Sequence, residues 1–343
     1  MRVTGSKAAS IAGDPAWLAH RYEPTDDDVH FVKAPRAVHR AATFLTDEYL
    51  PGTDRPTVIA RAEVLAAMPA IAPIHYIFHS AYCCSTLLAR AFDIDGIAMG
   101  LKEPLILNDL SGWRQRGADT ARLAEVLDSV LTLLARPFTA GEAVIVKPSN
   151  LLNPFAATML AMRPQAHAVL LHAPLPLYLA SIARKGMWGR LWVRELYWKL
   201  SRFGILDYGF TPEEILRQTD LQIAAIGWLG QHRLFADLVG RFPDRVRTLD
   251  SETLIARPAE VLARLSRSYG LDLDDAAVAA IAAGDAFTRH SKAGAAFGAA
   301  ERKAEQRDGA AIHAEEVEKV VIWAQAVASS AGQPLSLPSP LID

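Results

Sequence analysis

Five short apolar runs, each too brief for a helix, constrain this chain more than any other feature. They are Tyr76–His79, Ile97–Leu101, Ala143–Val146, Ala168–Leu171 and Val246–Leu249. Helical patterns lie between them at Thr86–Phe92, Thr120–Leu134, Pro154–Ala161, Leu175–Arg184 and Pro212–Val239. A strand apolar on both faces must be covered on both faces, and strands joined through helices run parallel. The alternation predicts an α/β fold, a parallel sheet flanked by helices in three α/β/α layers. Thr211-Pro212-Glu213-Glu214 marks a helix start, with Thr as N-cap, Pro at the first position and Glu at the third.

The pattern begins only at Pro73. Residues 1–72 are polar and proline-punctuated, with an acidic patch at Asp26-Asp27-Asp28 and helical pieces expected near Ala37–Glu48 and Val58–Ala67. We expect an N-terminal extension over 1–72 and a main α/β domain over 73–343. The formal net charge of -2 among 343 residues advertises neither a nucleic acid nor a membrane partner. No uncharged apolar run reaches the roughly 20 residues a membrane span needs. The two cysteines, Cys83 and Cys84, are adjacent, which strains a disulfide between them and is no zinc spacing. We therefore expect free thiols in a reducing compartment and no metal. No apolar stretch follows Arg2 and Lys7 to make a signal peptide, so the expected location is cytoplasmic.

In parallel sheets, ligands sit beyond the carboxyl ends of the strands. The first run ends at His79 and is followed by Ser80-Ala81-Tyr82-Cys83-Cys84-Ser85-Thr86, after which a helix opens. A strand, a tight loop and a helix start aim backbone N–H groups at one point, and hydroxyls of Ser85 and Thr86 add donors there. The loop lacks the Gly-Lys-Ser/Thr ending of a nucleotide-triphosphate loop, which argues against ATP or GTP hydrolysis. Lys102-Glu103-Pro104 follows the second run and offers a carboxylate as general base, with a lysine to hold an anion. Lys147-Pro148-Ser149-Asn150 ends the third, and a lysine after so apolar a run asks for an anion or open water. His172 ends the fourth, with Ser181 and Arg184 on the following helix. Met187–Phe203 interleaves aromatics with Arg190, Arg194, Lys199 and Arg202. It reads as an amphipathic helix with a charged outer face, or as a lid over an aromatic group. His290-Ser291-Lys292 sits among Ala and Gly, in a pattern suited to a loop that closes on a phosphorylated ligand.

In chain order these pieces resemble the sulfotransferase superfamily that uses 3′-phosphoadenosine-5′-phosphosulfate (PAPS). The bacterial phosphosulfate loop, Gly-x-x-Arg-Ser-Gly-Thr-Thr-x-Leu, falls on His79–Leu88. Thr86 matches and Ser85 is conservative, while Tyr82 stands at the basic position and both glycines are replaced. The family's Lys-Thr-Pro segment resembles Lys147-Pro148-Ser149, and its Arg-x-Pro resembles His172-Ala173-Pro174, with Ser181 following. Glu252-Thr253-Leu254 is similar to the family's Tyr-Glu-Asp-Leu segment, and His290-Ser291-Lys292 to its C-terminal nucleotide loop. The likeness runs from about Ile74 to Arg302.

The resemblance implies a P-loop NTPase-like α/β/α fold, with a helical lid at 186–210 and a C-terminal loop and helix at 285–330. It further implies a sulfotransferase-like enzyme that moves a sulfuryl group from PAPS to a hydroxyl or amine, without metal. The acceptor would be a small molecule, carbohydrate or peptide. Catalysis would rest on Glu103, Lys102 and Lys147. The donor would be held by Ser80, Tyr82, Cys83, Cys84, Ser85, Thr86, His172, Ser181, Arg184 and Lys292. A charge-assisted hydrogen bond is worth about 1.5–3 kcal/mol, so Lys102, Lys147, Arg184 and Lys292 must replace the two family cations absent at Tyr82 and His172. The competing expectations are a non-catalytic protein binding a nucleotide or phosphometabolite, and an enzyme of the same fold using another anionic donor.

Overall fold

The computed structural model describes residues 6–288 and 299–342, with the side chains of residues 299–312 left aside; Lys292 lies outside the described residues. The chain divides into two compact units. One comprises Met1–Ile77, Thr86–Ala168 and Ser266–Leu273, the other Phe78–Ser85, Val169–Leu265 and Asp274–Asp343.

In the first unit, β1 (Trp17–Glu23), β2 (Asp28–Lys33) and β3 (Thr57–Ala60) form an antiparallel sheet. Sequence periodicity missed these strands, and the helix expected over Val58–Ala67 begins only at Arg61. The expected Ala37–Glu48 helix is a short one, Arg36–Ala41. The reason is packing: Leu18, Ala19, Val29 and Phe31 are buried, but short strands broken by Pro and Asp hide their alternation. An ion-pair network holds the sheet to its neighbours. Arg61 bonds Asp27 and Glu125, and Arg21 makes a forked contact with Asp109.

β4 (Ile74–His79), β5 (Ala98–Lys102), β6 (Ala143–Lys147), β7 (Ala168–His172) and β8 (Val246–Asp250) form the five-stranded parallel sheet, in the order β5-β6-β4-β7-β8 and flanked by helices. Each predicted run became a strand, and their residues are almost all buried, as the doubly covered pattern demands. Lys102 pairs with Lys147 in the register of β5 and β6, so these strands end side by side.

In the second unit the helix expected over Pro212–Val239 is two helices, Pro212–Arg217 and Asp220–Arg241. Each opens with its own capping box, Thr211 with Glu214 and Thr219 with Gln222. Gln218 between them is extended, with φ -70° and ψ 143°. Capping at Thr219 satisfies the orphan N–H groups a new helix exposes, which makes the break cheap. Helix Gly186–Ser201 buries Gly189, Val193, Leu196 and Leu200. Its outer face differs from the charged one expected, because Met187, Trp188, Leu191 and Trp198 are exposed there. Arg190 and Arg194 instead lie on the flank, tied to Glu316 and Asp220. No described helix is long and apolar enough to cross a membrane.

Candidate functional site

The loop after β4 keeps a glycine-like path without glycine. Ala81, Tyr82 and Cys84 have φ of 73°, 52° and 65°. A left-handed non-glycine residue costs roughly 1–2 kcal/mol, so the surroundings must hold the loop in shape. Three contacts do so inside the second unit. The Ser80 N–H donates to the Leu171 carbonyl at 3.0 Å, the Ala81 N–H to His79 Nδ1 at 3.1 Å, and the Cys83 thiol to the Leu171 carbonyl at 3.3 Å. Left-handed residues beside right-handed ones are a feature of the concave backbone nests that bind anions. Replacing Cys84 by Gly should raise stability by about 1 kcal/mol, read as a higher urea midpoint; a lower midpoint would show that the thiol's packing outweighs the strain.

The loop's side chains are arranged unevenly. Ser85 and Thr86 are 6% and 4% exposed, and their hydroxyls make no hydrogen bond with any described residue. Cys83 is buried, Cys84 is half-buried, and neither is in a disulfide. The Tyr82 ring packs edge-on against Tyr178 and Trp192, with centroids 6.0 and 5.4 Å away. Burial pushes its hydroxyl up to about 12, so it supplies no charge near neutral pH.

His172 is neutral for the same reason: burial pushes it down to about 4, with the Asp250 charge opposing weakly. Its ring meets His232 edge-on at 5.0 Å, and His232 stacks on Trp228 at 3.4 Å. His172 Nδ1 is buried with no hydrogen-bond partner. It can therefore offer an N–H or a lone pair, and no cation. Ser181 donates its hydroxyl proton back to the Leu177 carbonyl at 2.8 Å, leaving only its oxygen lone pairs. Arg184 is exposed at its helix end.

Lys147 and Glu103 form the charged centre of the first unit. The Lys147 ammonium, 1% exposed, donates to the Glu103 carboxylate, which is 20% exposed, and lies 5.2 Å from the Phe44 ring centroid. The Glu103 N–H bonds the Lys147 carbonyl at 2.7 Å, and Glu103 itself has a left-handed φ of 55° just before Pro104. A strained backbone under a paired carboxylate at a strand end is the kind of outlier that accompanies function. Lys102 points away from Glu103. Its ammonium donates to the carbonyls of His39 at 2.6 Å and Arg40 at 3.2 Å, and burial, then the Arg90 and Lys147 charges against Asp93, hold it down to about 8. Lys147 is therefore the lysine that reaches the carboxylate. Register could not have told the two apart, since neighbouring strand ends point side chains by local twist.

Sequence reasoning passed over Arg90. It sits one turn after Thr86 on helix Ser85–Ala91, half-buried, and its Nε is fully buried with no hydrogen-bond partner. Its only signal in the sequence was a position four residues after Thr86, on the same helix face. Among the described residues no group of three His, Cys, Asp or Glu side chains could hold a metal ion.

No protein-family model matches the chain, and no curated protein matches it. Among solved structures it is similar to the sulfotransferase domain from the curacin biosynthetic pathway, at 14% identity over 78% of this chain and 100% of that one, with a TM-score of 0.44. It is also similar to the sulfotransferase domain from the Synechococcus PCC 7002 olefin synthase, at 16% identity over 63% and 80% of the two chains, with a TM-score of 0.37. Likenesses this distant assign neither a family nor an activity.

Proposed function

We propose that the chain transfers a sulfuryl group from PAPS to a hydroxyl or amine of a small molecule, carbohydrate or peptide. The observation that carries this reading is the loop after β4, which takes the left-handed path of an anion nest at Ala81, Tyr82 and Cys84 although every side chain there resists it. Turns commonly meet such a path with glycine, and left-handed non-glycine residues cluster at ligand sites.

In this reading the backbone from Ser80 to Thr86, with the Ser85 and Thr86 hydroxyls, holds the phosphosulfate. Glu103 takes the proton of the acceptor as its oxygen or nitrogen attacks sulfur. The bond from sulfur to the phosphate oxygen breaks, and the phosphate leaves with the electron pair. Lys147 orients Glu103 through their ion pair, and Lys102 supports the rim from inside rather than touching substrate. His172 and the Ser181 oxygen face the nucleotide as neutral partners, with Arg184 and Lys292 as its cations. Helix Gly186–Ser201 serves as part of the lid over 186–210, residues 285–330 supply the closing C-terminal loop and helix, and 1–72 is an extension of the main domain. In-line displacement on sulfur asks mainly for positioning and charge stabilisation, so no metal is needed.

Calorimetry with PAPS and with its desulfated product, adenosine 3′,5′-bisphosphate, tests the donor. Absence of binding to both at near-millimolar concentration sinks the reading. Glu103→Gln should cut turnover about 10²–10⁴-fold while leaving donor affinity within a few-fold; unchanged turnover rejects its role as base. Tight binding without turnover over a wide acceptor panel would instead select the non-catalytic alternative, and turnover with a different sulfuryl or phosphoryl donor the third.

A further inference from the structure

The first unit satisfies its buried arginines with care. Arg36 bonds Asp93 and Glu142, Arg61 bonds Asp27 and Glu125, and Arg136, 4% exposed, donates to the carbonyls of Leu133, Ile11 and Trp17. Arg90 breaks the pattern. No hydrogen bond or ion pair joins its guanidinium to any described residue, although its Nε is sealed from solvent. Burial lowers its affinity for the proton, and no neighbouring carboxylate raises it again.

The position of that charge can be traced. Long helical side chains lean toward the N-terminus of their own helix, so Arg90 leans toward Thr86. The Arg90 charge is the second cause, after burial, that depresses Lys102, so the two cations are neighbours within this unit. Lys147 contributes to the same depression from the end of β6. Arg90, Lys102 and Lys147 thus lie close enough in this unit for their charges to interact. Lys147 is paired with Glu103 and Lys102 is hydrogen-bonded by two carbonyls, while the Arg90 Nε is buried with no partner. Sealing one N–H of a guanidinium from water without a partner costs stability, and a ligand that accepts from it repays that cost.

We propose that Arg90 binds an oxyanion, a sulfate or phosphate ester. Guanidinium suits this task because it stays ionised under desolvation and presents a fork that fits two oxygens of a tetrahedral anion. The assignment of that oxyanion to the donor's phosphosulfate rests on the function proposed above; the binding of an oxyanion does not.

The test uses the full chain and two probes, inorganic sulfate and adenosine 3′,5′-bisphosphate, in buffers matched in ionic strength with sodium chloride. Wild-type protein should show a melting midpoint that rises with sulfate beyond the chloride control. Arg90→Met should abolish that rise and weaken sulfate and nucleotide about ten- to a hundredfold, with Arg90→Lys between the two because it keeps charge but loses the fork. In the absence of anion Arg90→Met should melt no lower than wild type, since it removes an uncompensated charge. An arginine with a merely structural role behaves in the opposite way. A lower anion-free midpoint, or failure of the Met variant to fold, therefore overturns the proposal, as does a sulfate response equal in Arg90→Met and wild type. If sulfate binds through Arg90 but the nucleotide does not bind wild type, this proposal stands and the sulfotransferase reading falls. If the nucleotide binds both proteins equally, the sulfotransferase reading stands and this proposal falls.

Discussion

Acidification from pH 7 to pH 5 should cost this protein several kcal/mol of stability, before most of its carboxylates are protonated. Four histidines are responsible. Burial is the leading cause in each: it pushes His39 down to about 3, His75 and His172 down to about 4, and His232 well below the ordinary 6.5. Their surroundings leave a proton nowhere to go. Both ring nitrogens of His39 are buried without partners, as are His75 Nε2, His172 Nδ1 and His232 Nε2. The sign follows from linkage. Unfolded imidazoles take up protons near pH 6.5 while the folded ones refuse them, so between pH 6.5 and about 4 the unfolded state binds more protons. The stability is complete above pH 6.5 and drains away as pH falls through the window toward the folded values. Each unit of pKa difference is worth about 1.4 kcal/mol, so groups shifted by two units or more sum to several kcal/mol. Urea midpoints measured from pH 7.5 to 4.5 should fall steeply below pH 6.5. A flat profile would mean that water reaches these rings. His232→Phe should lessen the slope by removing one titration.

Gly100→Ala should be as damaging from a single methyl group. Gly100 lies in the middle of β5, and a Cβ there would stand 2.2 Å from the backbone oxygen of Ala89 and 3.3 Å from its carbonyl carbon. Real contacts of that kind do not occur, and the obstacle is backbone rather than a flexible side chain. The helix Ser85–Ala91 must move off the strand. Overpacking in a close-packed interior costs typically 1–3 kcal/mol, and a backbone clash belongs at or above the top of that range. Because Thr86 and Arg90 ride on the displaced helix, anion response should be lost along with stability. Gly227→Ala is the control: nothing lies within 4 Å of its Cβ, so mid-helix alanine should gain about 0.5–1 kcal/mol. Equal urea midpoints for Gly100→Ala and wild type would show that the strand and helix can part freely.

Burial on both faces leaves an unambiguous mark, which is why the five central strands could be read from apolar runs alone. The strand over 143–147 is the clearest: Ala143-Val144-Ile145-Val146 has no polar face to lose, and ends where Lys147 begins. Local capping chemistry was also legible at Thr211, where side chain and backbone form one four-residue unit. The same signature at Thr219 went unread because the apolar pattern runs through it. The N-terminal sheet was hidden for a different reason. Its strands are short and half-buried, and what stabilises them is a set of contacts such as Arg21 with Asp109, 88 residues apart.

The candidate site divides in the same way. Strand-end positions and the loop after β4 follow from chain order, because a parallel sheet fixes which residues reach its carboxyl edge. Which lysine meets Glu103, how Tyr82 turns into Tyr178 and Trp192, and that His172 carries no charge were settled by packing. Sequence alone determined the parallel α/β layout and the polar loop at its rim, since periodicity and burial are properties of neighbouring residues along the chain. Tertiary structure decided protonation, ion pairing and the isolation of Arg90. Those depend on the distance between groups far apart in sequence, and on how much water the fold removes from around them.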